Sequence, residues 1–211
     1  MLAEQRTREW LALSENAVLT EATAAPLLDL GCGTGELLAI LAGRGIPAIG
    51  IDIAMRWLVQ ARRRSALAGG EQLLVCCNAE QLLFPDESFG AAVSMGLFEH
   101  CSDPTPIAVE AHRTLRSLAP LRVRTVNRYG QPPEPHVNVW GIGLLPRRLA
   151  NAYVHWRSGA RYLHHRPISA AELRAALAGA GFQGVEVTAA APLSSEIIRL
   201  PPPLRKLASV Y

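Results

Sequence analysis

The sequence predicts a doubly wound α/β fold, and three observations carry that prediction. Apolar runs of about five residues recur at 26–30, 48–52, 73–77, 91–95 and 121–126. Runs without polar alternation read as strands buried on both faces of a parallel sheet. Segments of helical spacing lie between them, which gives the βαβ alternation. The first run also ends in glycines at alternate positions, Gly31, Gly33 and Gly35, and a helical pattern follows at once. Together these imply a Rossmann-like doubly wound sheet with helices on both faces; weaker candidates over 182–187 and 196–200 bring it to about seven mostly parallel strands, with a long insertion after the fifth.

Composition bounds the answer before any single element does. The chain has 211 residues, 49% of them apolar and 18% charged, which suits one globular domain with a full core and excludes a disordered chain. Net charge is +3, and Lys206 is the only lysine beside many arginines. The basic run Arg62-Arg63-Arg64 falls at the end of a predicted helix, where it favours the dipole. Without interleaved aromatics or a wider basic stripe it does not make a nucleic-acid surface. The N-terminus is charged early and lacks a signal-peptide core, and no apolar run reaches about 18 residues. Cys32, Cys76, Cys77 and Cys101 show no metal or redox spacing, so reduced thiols in a cytoplasmic protein are expected.

The elements follow in order. Residues 3–22 read as one or two helices, either a lid or packing on a sheet edge. The first strand covers 26–30, and its helix runs from about Gly35 to Ala42, closed by Gly43 and Gly45. The second strand ends in Asp52, 21 residues after Gly31, with Ile53 beside it. A carboxylate at that strand tip accepts hydrogen bonds from ribose hydroxyls. A helix follows over 55–67. The third strand, 73–77, leads into Asn78-Ala79-Glu80, and the fourth, 91–95, ends at Met95. Next come Glu99 and His100, then a helix announced by Asp103 as N-cap and Pro104 at its first position. Ile107, Ala111, Leu115 and Leu118 give that helix one apolar stripe.

The string Asp29 to Gly35 resembles the first motif of the class I S-adenosylmethionine-dependent methyltransferases, in their small-molecule branch. Its G-x-G-x-G spacing differs from the G-x-G-x-x-G of dinucleotide dehydrogenases. An acid two residues before the first glycine would repel a pyrophosphate but suits an ammonium group. The resemblance covers 26 to about 127. It implies S-adenosylmethionine as cofactor, with Asp29, Gly31, Cys32, Gly33 and Gly35 around its amino-acid part. It further implies Asp52 and Ile53 at the ribose, Asn78, Ala79 and Glu80 at the adenine, and Met95 at the fourth strand tip. The family's Pro-Gly-Gly turn before the fifth strand is absent from Ser117-Leu118-Ala119-Pro120.

Glu99-His100 resembles a pair that recurs in the same branch. His100 has two readings: a base for an acceptor hydroxyl, because imidazoles titrate near neutrality, or a group that shapes the cofactor pocket. The stretch 128–167 is too long for a plain connector, and the resemblance implies that it forms a cap over the acceptor. Within it Glu134 and His136 sit in a stiff proline-rich loop, either facing the acceptor or satisfying nearby backbone. His112, His155, His164 and His165 lack a Cys or acidic partner at ligand spacing, so no metal is expected. Tyr129, Trp140, Tyr153, Trp156 and Tyr162 either line an acceptor pocket or pack the cap. Ser169-Ala170-Ala171-Glu172 is a capping box that opens the last helix. A sixth strand is expected over 182–187 and a short seventh over 196–200, before the proline run at 201–203.

The expected organisation is one domain over 1–211, with a helical lid over 1–25 and a cap over 128–167. The expected function is methyl transfer from S-adenosylmethionine to an O, N or C nucleophile of a small molecule, mainly by proximity. Candidate catalytic residues are His100, His136 and Glu134. No nucleic-acid or membrane partner is expected, and the protein is expected to be a monomer or homodimer. The alternatives are a protein that binds S-adenosylmethionine without transferring methyl, and a nicotinamide-dependent oxidoreductase.

Overall fold

A computed structural model describes residues 25–130, 133–134, 136–163 and 165–188. The expected lid, the seventh strand, the proline run and His164 lie outside these residues.

Five parallel strands form one sheet in the order β3-β2-β1-β4-β5: β1 Leu27–Leu30, β2 Ala48–Asp52, β3 Leu73–Cys76, β4 Ala91–Met95 and β5 Leu121–Arg124. Helices α1 (Glu36–Gly43), α2 (Met55–Leu67) and α3 (Thr105–Thr114) are the crossovers. β1 lies at the centre, pairing Leu27 with Ala48 on one side and with Ala91 on the other. The chain winds outward from β1 to β3, then returns to lay β4 against β1. Strand order therefore reverses between β1 and β4, and a crevice opens at their carboxyl ends.

The apolar runs are continuous because both sheet faces are covered. Leu28 and Leu30 join Phe89, Phe98, Ile107 and Leu177 in one core. Leu27 joins Leu38, Leu41, Leu58 and Val93 in the other. The three β1 leucines are fully buried, which contributes about 2 kcal/mol each. That anchors the strand whose end carries the glycine turn.

The cap has its own small core of Val139, Ile142, Val154 and Tyr162, built around α4 (Arg147–Ser158). Arg128 fixes it to the sheet, donating to the carbonyls of Gly143 and Leu145 at 3.0 and 3.3 Å. The last helix, α5 (Ala170–Gly179), carries the expected box. Ser169 Oγ accepts from Glu172 N, and Glu172 accepts from Ser169 N.

Three expectations need correction. Helix α3 starts at Thr105 with Pro104 as N-cap, one residue later than expected, although Asp103 Oδ1 still accepts the Thr105 N–H as a capping side chain does. Its stripe ends before Leu118, which has φ 64° and is 95% exposed. Residues 182–188 form no strand. Gly181 and Gly184 both take positive φ there and break the extended run. Phe182 and Val185 still pack on the core. Among the described residues β3 and β5 are the sheet edges, and a groove of about 1360 Å³ runs along β5 beside Leu121, Val123 and Leu173.

Candidate active site

The crevice begins with the turn after β1. Gly31, Gly33 and Gly35 all have φ between 51° and 75°. Gly35 must be glycine for packing: a Cβ there would lie 2.6 Å from the Ala61 Cβ on α2. Gly33 is different, because nothing lies within 4 Å of its missing Cβ. Its face is open space, where a ligand could approach main-chain atoms. No side chain caps α1, so its first N–H groups and positive dipole end face the same opening.

Asp52 ties this turn to the loop after β2. One carboxylate oxygen accepts the Gly33 N–H at 3.0 Å and the other accepts the Ala54 N–H at 2.8 Å. Each oxygen retains a second acceptor site. Asp29 is the buried acid of the set, 2% exposed. Burial pushes its pKa up to about 8, and the charges of Glu36 and Asp52 add to the effect. It lies deep in β1, on the floor of the crevice. Burial likewise pushes the Cys32 thiol up, so this cysteine is inert packing inside the loop. Ile53 is 73% exposed and offers an apolar face next to Asp52.

After β3, Asn78 Oδ1 accepts the Glu80 N–H at 3.0 Å and closes a turn. Asn78 and Glu80 are exposed, and Ala79 is buried. The loop that follows is held by Arg113 on α3, which sequence reasoning missed. Its guanidinium bonds Glu110, Asp86 and the carbonyls of Phe84 and Leu82. Glu110 also accepts the Leu82 N–H. Nothing in the linear pattern around Arg113 announced a loop 27 residues upstream.

Beyond Met95 the chain turns at Gly96 into a short 3-10 turn, Phe98–His100. Glu99 points inward, 4% exposed, and accepts the Thr125 hydroxyl at 2.6 Å. Its carbonyl accepts the Arg166 N–H at 2.6 Å. The Glu99-His100 pair thus splits: the acid fastens β4 to β5 and to the segment before α5, while His100 is exposed.

The cap brings two further histidines to His100. His136 stacks on His165 with ring centroids 4.0 Å apart, and His100 lies 5.5 and 4.9 Å from these two rings. Glu134, 7% exposed, binds His136 Nδ1 at 2.5 Å, and its other oxygen accepts the His136 and Val137 N–H groups. Tyr162 packs 5.6 Å from His165, with its hydroxyl buried and without a hydrogen-bond partner among the described residues. Burial, and then the charges of Glu134 and Glu99, push that hydroxyl's pKa up. A cavity of about 220 Å³ adjoins, lined in part by Tyr162, His165 and Arg128. Sequence spacing put His165 with no partner; the fold places it against two. Trp140, Trp156 and Tyr129 are exposed, and only Tyr162 of the five cap aromatics is fully buried in the cap core.

Comparison with known proteins agrees with this geometry. Residues 28–120 match the family model described as "Methyltransferase domain". The matched span runs from β1 through the turn before β5. Residues 28–120 form a methyltransferase domain of the class I fold. A ubiquinone biosynthesis O-methyltransferase of Idiomarina loihiensis is 30% identical over 149 residues, covering 70% of this chain and 57% of that one. Its counterpart in Xanthomonas axonopodis pv. citri is 31% identical over 170 residues, covering 80% and 66%. The chain therefore spans between about half and two thirds of these relatives' length. A Mesorhizobium loti S-adenosylmethionine-dependent methyltransferase shares the fold, with TM-score 0.62 and 21% identity over 85% of this chain and 83% of that one. The [4+2]-cyclase SpnF aligns with TM-score 0.53 and 26% identity, covering 74% and 51%.

The cofactor this family implies is S-adenosylmethionine. The crevice fits it on its own chemistry. A buried acid suits an ammonium, an uncapped helix end suits a carboxylate, and a doubly held aspartate with spare acceptor sites suits a diol.

Proposed function

We propose that this protein transfers a methyl group from S-adenosylmethionine to a hydroxyl oxygen of a small molecule. The supporting observation is the open glycine turn at Gly33, locked to the Asp52 carboxylate at the end of β2. In this reading Asp29, Gly31, Cys32, Gly33 and Gly35 surround the amino-acid part. Asp52 and Ile53 would hold the ribose, Asn78, Ala79 and Glu80 would border the adenine, and Met95 at the tip of β4 would line the same site. When bound, the cofactor supplies an electrophilic methyl on a sulfonium.

The chain's own contribution is orientation and exclusion of water. Residues 128–167 act as a cap over the acceptor. His100 and His136, the latter oriented by Glu134, form the acceptor-side polar group toward which an acceptor proton leaves. The Glu134 carboxyl pairs with His136 Nδ1, an arrangement that suits a ring protonated there and leaves Nε2 as the acceptor nitrogen. Oxygen is favoured over nitrogen or carbon because a hydroxyl gains from such a group, and because the relatives are named as O-methyltransferases. The protein is proposed to work in the cytoplasm as a monomer or homodimer, without nucleic-acid or membrane partners. Its four cysteines are free, and no described helix is long and apolar enough to cross a membrane.

The test is incubation with methyl-labelled S-adenosylmethionine and a small-molecule extract. Label in a low-mass product, with S-adenosylhomocysteine formed in equal amount, supports the proposal. Binding of S-adenosylhomocysteine with no label transferred from any extract would favour a second reading, a non-methylating enzyme on this fold. The likeness to a protein described as a cyclase supports that reading.

A further inference from the structure

We infer that His100, His136 and His165 form a binding site for one divalent transition-metal ion of the zinc class. The three come from segments far apart in sequence: the turn after β4, the proline-rich loop of the cap, and the segment before α5. One ligand atom from each lies within 4.8 Å of the other two. An ion with bonds of about 2.05 Å needs tetrahedral ligands about 3.4 Å apart, so the stacked His136 and His165 rings must tilt out of their stack to aim both lone pairs at it. Imidazole suits zinc, copper, nickel and iron rather than magnesium or calcium.

Two further features point to a ligand. Glu134 is buried behind His136 and accepts its Nδ1 proton, and its carboxylate is itself held by two backbone N–H groups. That is the carboxylate–histidine arrangement which fixes a metal-binding tautomer and raises ligand basicity. Tyr162 packs beside His165, its hydroxyl buried and without a hydrogen-bond partner among the described residues, and both residues line a cavity with space for another molecule. Three neutral imidazoles leave the ion with its double positive charge and an open position. An oxygen ligand, water or an acidic hydroxyl of the acceptor, is what such a position takes, and with the ion bound His100 and His136 hold it and no longer receive the acceptor proton themselves. This last point rests on the proposed methyl transfer; the metal site itself does not. It also revises the linear reading, in which no metal was expected because no ligand spacing was visible.

The test uses the full chain freed of metal by chelator and titrated with cobalt(II), read by its visible d–d absorption. One equivalent should bind, and zinc should displace it while magnesium should not. His100→Ala, exposed and safe for folding, and His165→Gln should each weaken binding by at least about tenfold. Glu134→Gln should weaken it by about 10- to 100-fold. His155→Ala, an exposed histidine on α4, should leave it unchanged. A wild-type chain that gives no cobalt spectrum overturns the inference, as does a spectrum indifferent to His100→Ala and His165→Gln. The same samples are titrated with S-adenosylhomocysteine. Cobalt bound by protein that fails to bind this nucleoside supports the metal site and sinks the proposed function instead.

Discussion

Asp29→Asn tests the floor of the crevice most sharply. In the ligand-free fold this carboxyl is 2% exposed, and burial together with the charges of Glu36 and Asp52 holds its pKa near 8, against 3.8 ordinarily. The folded state thus keeps a proton up to about pH 8, while the unfolded chain releases it near pH 4. Between these limits the unfolded state binds fewer protons, so stability falls as pH rises. At about 1.4 kcal/mol per pH unit the whole window represents at most about 6 kcal/mol. Asparagine is neutral throughout and escapes that loss. The variant should match wild type near pH 4 and gain on it steadily. Between pH 5 and 8 the gap should widen by at least about 2 kcal/mol, or about 4–8 °C in Tm. Ligand binding should show the opposite cost. An ammonium placed against Asp29 favours the charged form, so S-adenosylhomocysteine should release close to one proton on binding at pH 7. Calorimetry in two buffers of different ionisation enthalpy measures that release. Asp29→Asn should bind more weakly and release none. A stability gap that does not change with pH, together with binding that releases no proton in wild type, would refute the reasoning.

The glycines of the same turn should separate stability from binding. Gly35→Ala drives a Cβ into Ala61 on α2 at positive φ and should cost about 3 kcal/mol, seen as a fall in Tm or denaturation midpoint. Gly33→Ala meets open space, so only the backbone cost of about 1–2 kcal/mol remains. Its S-adenosylhomocysteine affinity should nevertheless drop at least about tenfold, or about 1.4 kcal/mol. Glu172 is pushed upward by burial, but its bonds with Ser169 and Arg147 outweigh this and hold it down to about 2. Its stabilisation is therefore present above about pH 4.5 and fades as pH falls toward 2. Glu172→Gln should destabilise by about 1 kcal/mol at pH 7, discounting for partial exposure, and by much less at pH 3 in urea melts.

What was legible in the sequence was whatever is written locally. β2, β4 and α2 begin and end where the apolar runs do, because Gly, Pro and Asp punctuate them. The capping box at Ser169 is likewise a four-residue signal, and both of its bonds are present. The glycine turn and Asp52 were readable because their spacing is itself the chemistry. Leu118 was misread because it continued the spacing of Ile107, Ala111 and Leu115 after the backbone had already left the helix at Leu115. Residues 182–188 were misread because alternating valines outweighed Gly184, whose positive φ decides the conformation. The acceptor side was the least legible. Glu99 resembled half of a functional pair, yet it is a buried fastener for Thr125. His165 meets His100 and His136 only because the cap folds back over the end of β4, 65 residues away from His100. Arg113 holds its loop across 27 to 31 residues. Contacts of that kind follow from topology, and no window of sequence contains them.

The most direct test of the central claim is calorimetric titration of the protein with S-adenosylhomocysteine, beside NAD, repeated on Asp52→Ala. Asp52 joins the glycine turn to the end of β2, so removing its carboxylate disturbs both the turn and the proposed ribose site. The account predicts micromolar binding of S-adenosylhomocysteine, no binding of NAD, and at least about a tenfold loss in the variant. Binding of NAD alone, or S-adenosylhomocysteine affinity unchanged in Asp52→Ala, would contradict it.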